Sequence, residues 1–499
     1  MSQVSASKET IQKLHENMGS NFSYFVPLLC NCASSLESLE QLNKNESENG
    51  ENLSLWKILL KLQLFSLTIN LDLSTFLRAD FRSTSNLEKR GDLKYVNVIT
   101  IEGYSYLFGL GKDKNNALWE IIKKSAYQIN DEELITDIND IEQRGKEFEN
   151  IYAQREDRNK RNLSIHYDSD PIKVYNFLSQ IDDETPEINR ASAFLKILDD
   201  LSIFVNKYIH KFQIPFICST NNYDIEIWEK INYFSDENRK LFNELDEKLV
   251  HFGEQLDSIA AQCKIPEILQ GKLNLDNTFT ERLQPLVESI YPGIHILFIY
   301  LDLACAVRAY LSSEFYFEKQ LNLRRINVVV YEGFKHLYGY TDSDHLKSFW
   351  QKNISSILKD STNTNLLDSL TKIEVELKEL ATDNGINNTQ LRECTVHYRY
   401  KDRDNIVTLF HALIKSNPLI EMNKSLKLLK LLPELLKINT ESVSFKYNME
   451  QEKIKSSNNK TLAQIDNTLS MIEQIKIDPE RKQEMINNIK KLKNILQLF

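Results

Sequence analysis

The sequence has few of the residues that build tight turns, with 13 glycines and 10 prolines in 499 residues. Folds rich in β-strands need many such turns, so this scarcity favours long helices. The six cysteines form no Cys-x-x-Cys pair, which is typical of free thiols in a reducing compartment. The most apolar run, 294–307, is too short to span a bilayer and contains Asp302. It predicts a buried core helix and no membrane partner.

The chain also lacks an excess of positive charge, since its net charge is −10. The net charge therefore does not favour general electrostatic binding of nucleic-acid backbone, and any such contact would need local basic patches. Apolar residues make up 41% and charged residues 26%, a composition that builds sizeable cores. The first ten residues, MSQVSASKET, show no signal-peptide pattern. We expect a cytoplasmic protein.

One stretch of the sequence recurs in the second half of the chain. "LDLSTFLRADF" at 71–81 resembles "LDLACAVRAYL" at 301–311. "LKYVNVITIEGYSYLFG" at 93–109 likewise resembles "LRRINVVVYEGFKHLYG" at 323–339. Trp119 then matches Trp350. A correspondence that continues this far along both copies indicates an internal duplication.

The duplication predicts an all-α fold made of two tandem helical bundle domains related by a pseudo-twofold axis, plus a C-terminal helical tail. We place the first domain at 1–230, the second at 231–440 and the tail at 441–499. In the tail, Asp478 and Pro479 are typical of a helix start. The tail is a candidate surface for homo-oligomer formation.

Helical spacing of apolar residues predicts helices at 55–81, 95–110, 115–128, 131–155, 170–181 and 190–210, with counterparts in the second half. The β-branched run "INVVVYEG" would also suit a strand. The spacing of Asn97 and Glu102 in its counterpart favours a helix. Two pairs, Asp72 with Arg78 and Asp302 with Arg308, sit in apolar runs and predict buried structural ion pairs.

Both copies contain Arg, four residues, His and Tyr, as "RNLSIHY" at 161–167 and "RECTVHY" at 392–398. Asp170-Pro171 follows the first and resembles a helix start, so we expect each Arg–His pair just before a helix. A histidine titrates near neutrality and transfers protons either way. An arginine stabilises the charge of a phosphate undergoing displacement. The alternative is a core histidine with a structural arginine beside it.

These residues resemble the HEPN superfamily of α-helical bundle domains, many of which are RNases of toxins, phage-defence systems and RNA-targeting CRISPR effectors. The family's mark is Arg, a polar residue, a few residues and then His. "RNLSIH" fits through Arg161, Asn162 and His166. "RECTVH" has Arg392 and His397, but Glu393 occupies the polar position.

The resemblance implies a metal-independent endoribonuclease in which 2′-hydroxyl attack leaves a 2′,3′-cyclic phosphate. Family members of this kind usually pair two motifs across a dimer, and a tandem duplication would build that dimer within one chain. The implied catalytic residues are Arg161, His166, Arg392 and His397. The candidate supporting or substrate-binding residues are Asn162, Tyr167, Tyr398, Asn97, Glu102, Asn327 and Glu332.

RNA is the expected substrate, with a toxin or phage-defence role by analogy. The sequence contains no Gly-rich phosphate loop, no His-Glu-x-x-His and no clustered metal ligands, so neither a metal nor another cofactor is predicted. The competing hypothesis is a non-catalytic helical module of the same type, which would bind a nucleotide or a regulatory protein. Asn97 and Glu102 would then make structural contacts between helices.

Overall fold

A computed structural model describes most of the chain. The described residues are 8–42, 50–110, 117–165, 170–181, 185–214, 235–266, 277–355, 364–382 and 418–474, with isolated positions at 268, 270 and between 479 and 490. Within these residues the regular structure is helical and there is no β-strand. The prediction of an all-α protein is confirmed.

The first eight helices belong to the N-terminal half of the chain. They are α1 (Lys8–Leu42), α2 (Gly50–Arg82), α3 (Asn86–Phe108), α4 (Leu118–Ile129), α5 (Glu132–Tyr152), α6 (Arg155–Ile165), α7 (Pro171–Ser179) and α8 (Thr185–Lys211).

The remaining described helices follow residue 235. They are α9 (Asp236–Cys263), α10 (Asn277–Leu311), α11 (Tyr316–Leu337), α12 (Asp342–Lys347), a π-helical turn (Trp350–Ile354), α13 (Thr364–Thr382) and α14 (Pro418–Gln474). The run "INVVVYEG" lies within α11, so it is helical as predicted.

Short polar side chains define where several helices begin. Ser85 accepts a hydrogen bond from the backbone N–H of Glu88 at the start of α3. Asp170 accepts one from the backbone N–H of Ile172 at the start of α7, with Pro171 as the first helical residue. Such side chains satisfy N–H groups that have no partner inside the helix. The helix start predicted at Asp170-Pro171 is confirmed.

Each half is organised around one central, apolar helix. In the first half α2 packs on α1, α3 and α8, and in the second half α10 packs on α9, α11 and α14. The segment Val287–Leu311 of α10 has a mean hydropathy of 1.7, enough to cross a membrane by length and composition. However, 83% of its most apolar window is buried inside the protein, as predicted for a core helix.

Aromatic side chains that recur in the two halves lie in the core. Trp119 and Trp350 are each 1% exposed. Tyr104, Phe334, Phe108 and Tyr338 are likewise buried. Described core residues from both halves belong to one continuous hydrophobic cluster, which extends from α1 to α14. Such burial is the main stabilising contribution to the fold.

Two expectations need correction. Arg161 lies inside α6 and not ahead of a helix, because "REDRNKRNLSI" forms a helix of its own before α7. The position chosen for the start of the tail, residue 441, falls within the 57-residue helix α14, which runs without a break through it. The sequence offers no glycine or proline there to end the helix.

Candidate functional site

Two buried glutamates lie in the first turns of α3 and α11, at the contact between the halves, and accept hydrogen bonds from the backbone that precedes each helix. The Glu88 carboxylate accepts hydrogen bonds from the backbone N–H groups of Thr84 (3.0 Å) and Ser85 (3.3 Å). The Glu318 carboxylate accepts them from Glu314 (2.8 Å) and Phe315 (3.4 Å). Glu88 and Glu318 match in the aligned sequence segments, and each accepts hydrogen bonds at the start of its helix. Both carboxylates also face an arginine of the other half.

The arginine partners of these glutamates are exchanged between the halves. Arg308 Nε lies 2.7 Å from Glu88 Oε1, and Arg78 Nε lies 3.3 Å from Glu318 Oε1. Both guanidinium groups are 1% exposed. Arg82 also pairs with Glu318. Burial acts to raise the pKa of Glu318, but the charges of Arg82 and Arg78 outweigh it and hold that pKa below its ordinary value.

A second exchange of partners lies beside the first. Arg324 Nη1 lies 3.0 Å from Asp72 Oδ1, and both side chains are 2% exposed. Lys94 pairs with Asp302 in the reverse direction. Lys94 is the counterpart of Arg324 in the repeat, and Asp72 is that of Asp302. The four predicted ion-pair residues are thus buried or half-buried, but each finds a partner in the opposite half, because the helices pack against each other there.

Contacts of this reciprocal kind characterise twofold-symmetric interfaces, in which residue i meets j and j meets i. In such an interface, a residue that meets its own equivalent lies beside the axis. Val98 and Val328, which match each other in the repeat, pack together with Ile165 in a small buried cluster. Ile165 is the last residue of α6.

Tyr95 and Arg325, which match each other in the aligned segments, also meet at the contact between the halves. The guanidinium carbon of Arg325 lies 4.7 Å from the ring centroid of Tyr95, a cation–π contact. Arg325 is fully buried and also pairs with Asp92 of the first half. Burial acts to lower the pKa of Arg325, but Asp92 and the other groups around it outweigh this and raise the pKa. The guanidinium therefore stays charged at the contact.

Near this contact, α6 presents the arginine of the first motif to α3. Arg161 forms an ion pair with Glu102, in which the side chains are 17% and 9% exposed. Its Nη1 also donates a hydrogen bond to Asn162 Oδ1 at 2.6 Å. Glu102 thus positions the guanidinium near the helix end that leads into 166–169. An arginine held in this way presents a fixed charge at a half-buried surface.

A second buried contact holds α6 and α8 on α3. Arg190 of α8 donates a hydrogen bond to Asn97 Oδ1 and pairs with Asp157 of α6 at 2.5 Å. In the other half, Asn327 donates to Glu421 Oε2 at 2.9 Å. Glu421 matches Arg190 in the repeat, so the helix pairing recurs although the charge is reversed. Both asparagines make the interhelical contact that the structural alternative predicted.

Several predicted site residues lie outside the described residues, namely His166, Tyr167, Arg392, His397 and Tyr398. Their roles remain predictions. The structure brings together Arg161, Asn162 and Glu102 on α6 and α3. Asn97 contacts Arg190 on a further part of α3, whereas Asn327 and Glu332 lie on α11.

Sequence reasoning missed the residues that join the halves. Glu88 and Glu318 match each other in the aligned segments, but neither they nor Arg190, Asp157 and Arg324 carry a motif that predicts their partners. One clue was available, because charged residues that recur inside apolar runs need buried partners. Which partner each one takes depends on helix packing and not on spacing along the chain.

The chain was compared with protein families, curated proteins and solved structures. No family model, no curated protein and no solved structure matches it.

Proposed function

We propose that the chain is an internal duplication that folds as a pseudo-dimer of two helical bundles. Three observations support this. Gly103 lies against Ile69 where α3 crosses α2, and Gly333 lies against Ile299 where α11 crosses α10. Gly109 and Gly339 end α3 and α11 with positive φ angles of 80° and 88°. The exchanged arginine–glutamate pairs are the third observation.

On this basis we propose that the protein is a metal-independent endoribonuclease of the HEPN type with one composite site. The observation that carries the proposal is the position of Ile165. This residue immediately precedes His166 and packs on Val98 and Val328, the pair that marks the pseudo-twofold axis. A composite site requires that the two motifs approach each other at such an axis.

In the proposed reaction, one histidine takes the proton from the ribose 2′-hydroxyl, and the oxygen attacks the adjacent phosphorus. The bond from phosphorus to the 5′-oxygen breaks, and the second histidine protonates that oxygen. The products carry a 2′,3′-cyclic phosphate and a 5′-hydroxyl. Arg161, oriented by Glu102, stabilises the negative charge that develops on the phosphate.

The test is RNA cleavage in the presence of EDTA, with mapping of the product ends. We expect wild-type protein to leave 2′,3′-cyclic phosphates, and the double variant His166→Ala, His397→Ala to leave RNA intact. His210→Ala is the matched control, since His210 is an exposed histidine in the last turn of α8. Equal cleavage by wild type and the double variant would overturn the proposed chemistry.

A non-catalytic module remains the second candidate, because one observation favours it. The Arg161 guanidinium is already paired with Glu102 and bonded to Asn162, as a purely structural arginine would be. The cleavage rate and stability of the Glu102→Gln variant distinguish the two candidate functions. Release of a catalytic arginine from its positioning partner lowers the cleavage rate, whereas a structural arginine affects stability alone. Intact RNA with every preparation favours the module.

A further inference from the structure

A cavity of about 410 Å³ lies between α10, α12 and the π-helical turn of the second half and Asp170 at the start of α7 in the first half. Its lining includes Tyr291, His336, Lys347, Phe349 and Lys352. The volume falls within the range of pockets that hold small ligands. The proposed reaction uses none of these residues.

The base of the cavity contains a cluster of planar rings. The ring of His336 lies 4.5 Å from the ring of the buried His295 and 4.7 Å from that of Phe349, measured between centroids. Phe349 is only partly buried, so part of its ring faces the cavity. A half-buried ring of this kind offers a surface on which a flat ligand can stack.

The corresponding place in the first half is apolar. Phe65 and Tyr106, the counterparts of His295 and His336 in the repeat, pack there with ring centroids 4.0 Å apart. Lys352 similarly corresponds to Ile121, which is 42% exposed. The shared scaffold therefore tolerates an apolar filling, and the second half carries nitrogen-bearing rings and a cation in its place. The two halves therefore differ in hydrogen-bonding capacity and charge at matching places.

The charges around the cavity describe that ligand. Lys347 and Lys352 are exposed, and neither forms an ion pair with another described residue. Asp170 and Glu288 contribute carboxylates to the same lining. A ligand with phosphate oxygens for the lysines and hydroxyl donors for the carboxylates satisfies both kinds of group.

Local backbone geometry adds an independent observation. Lys352 lies in the π-helical turn Trp350–Ile354, where the N–H of Ser355 bonds the carbonyl of Trp350. Turns of this kind are rare and frequently occur at functional sites. The matching Trp119 lies in the regular helix α4, so the turn is specific to the second half.

We propose that this cavity binds a nucleoside phosphate, with its base on Phe349, its phosphate on Lys347 and Lys352, and its ribose hydroxyls toward Asp170 and Glu288. The nucleotide can come from solution or from an RNA strand. In the second case the inference rests on the proposed function, because the strand would then be the substrate. Asp170 starts α7, four residues after His166 in the sequence.

The test is calorimetric titration of the full-length protein with AMP and GMP, beside ribose 5-phosphate, which lacks the base. We expect saturable binding of at least one mononucleotide and at least ten-fold weaker binding of ribose 5-phosphate, because stacking on Phe349 is lost. Lys347→Glu with Lys352→Glu should weaken nucleotide binding about ten-fold or more. Lys372→Glu, an exposed lysine of α13, is the matched charge control and should leave binding unchanged.

Two further arms separate the sources of the nucleotide. A 2′-O-methyl oligonucleotide has no 2′-hydroxyl to react, so it measures strand binding without cleavage. Its competition with the mononucleotide supports an RNA strand in the cavity, and binding of both together supports a free nucleotide. Circular dichroism verifies that the lysine variants are folded, and Phe349→Leu tests stacking with a side chain that still fills the core.

Absence of saturable mononucleotide binding would overturn the inference, and so would binding that the lysine and Phe349 variants leave unchanged. Neither result depends on RNA cleavage. If cleavage fails while the nucleotide binds, only the proposed ribonuclease is lost. If cleavage proceeds without nucleotide binding, only the cavity assignment is lost.

Discussion

Two regions of the molecule treat the repeated sequence in opposite ways. At the contact between the halves, Glu88 and Glu318 perform the same task with arginines exchanged across the contact. At the cavity, Phe65 and Tyr106 of the first half correspond to His295 and His336 at the matching places of the second. The matched glutamates thus keep their charge where each faces an arginine of the other half, whereas the matched rings change from Phe and Tyr to His at the cavity.

The difference follows from how strongly a substitution in each region affects the other half of the chain. A charge change at Glu318 removes the buried counter-charge of Arg78 and Arg82 and leaves Arg78 with only the half-exposed Glu314, so one substitution disturbs both halves. A change at His336 affects the ring contacts with His295 and Phe349 and removes no buried counter-charge. Substitutions at the reciprocal contact are therefore expected to cost more stability than substitutions at the cavity.

The largest effect on stability is expected at Glu318. Glu318→Gln removes a fully buried counter-charge shared by the buried Arg78 and the half-buried Arg82, and it should lower the free energy of unfolding by about 3–5 kcal/mol, measured by urea denaturation. Glu88→Gln should cost less, since Glu88 pairs with one arginine, Arg308, whereas Glu318 pairs with both Arg78 and Arg82.

Glu314→Gln is the control for that prediction, because Glu314 also pairs with Arg78 but its side chain is 39% exposed. It should cost less than about 1 kcal/mol. Equal losses for Glu314→Gln and Glu318→Gln would contradict the account of the contact as a buried, reciprocal ion-pair network.

A smaller effect is expected at Arg190, which joins α6 and α8 to α3. Arg190→Gln breaks the buried pair with Asp157 and should destabilise the protein by about 1–3 kcal/mol. RNA cleavage should fall as well, since α6 carries Arg161. Arg144→Gln removes an ion pair in which the arginine is 54% exposed, and it should leave cleavage and stability nearly unchanged. If Arg190→Gln changed neither stability nor RNA cleavage, the position of α6 would not matter for the proposed site.

Two matched glycines sharpen the comparison further. A Cβ atom at position 333 would lie 2.7 Å from Ile299 Cγ2, whereas one at position 103 would lie 3.0 Å from Ile69 Cγ2. Gly333→Ala should therefore destabilise the protein more than Gly103→Ala, by a difference of about 1 kcal/mol in thermal or urea unfolding. A larger loss of stability for Gly103→Ala than for Gly333→Ala would contradict this prediction.

The acid limb of the stability profile should report on Glu318. Its pKa in the folded protein is lowered, whereas the unfolded glutamate titrates at about pH 4.3. Its contribution is complete above that pH and is lost as the pH falls through the folded pKa. The urea midpoints of wild type and Glu318→Gln should therefore converge below about pH 4. A difference that stays constant as the pH falls through this range would assign the stabilisation to another group.

Much of the fold could be predicted from the sequence, for identifiable reasons. Helices were indicated by apolar spacing and by the rarity of turn residues, and Asp170-Pro171 marks a real helix start. Trp119 and Trp350, which match in the repeated stretch, are both buried. Recurrence of Asp72 and Arg78 as Asp302 and Arg308 drew attention to buried charges at the place where the halves meet.

The partners of those charges could not be predicted. Asp72 meets Arg324, which is far away in the chain, because the halves pack in a reciprocal arrangement that no local spacing encodes. Arg161 was expected before a helix, but its surrounding segment is polar and gave no apolar period from which to infer α6. The pair His295 and His336 could not be predicted from the sequence, because the two rings are far apart in the chain. The pair becomes informative only when its contact is compared with that of Phe65 and Tyr106 in the first half.

The most direct test of the composite site is the rate of metal-free RNA cleavage by His166→Ala, His397→Ala and the double variant, each with mapped product ends. Residues that act as one unit are not additive, so one shared site predicts that either single variant loses nearly as much rate as the double variant. Single variants that each keep about half of the wild-type rate, with activity abolished only in the double variant, would contradict the account and assign an independent site to each half.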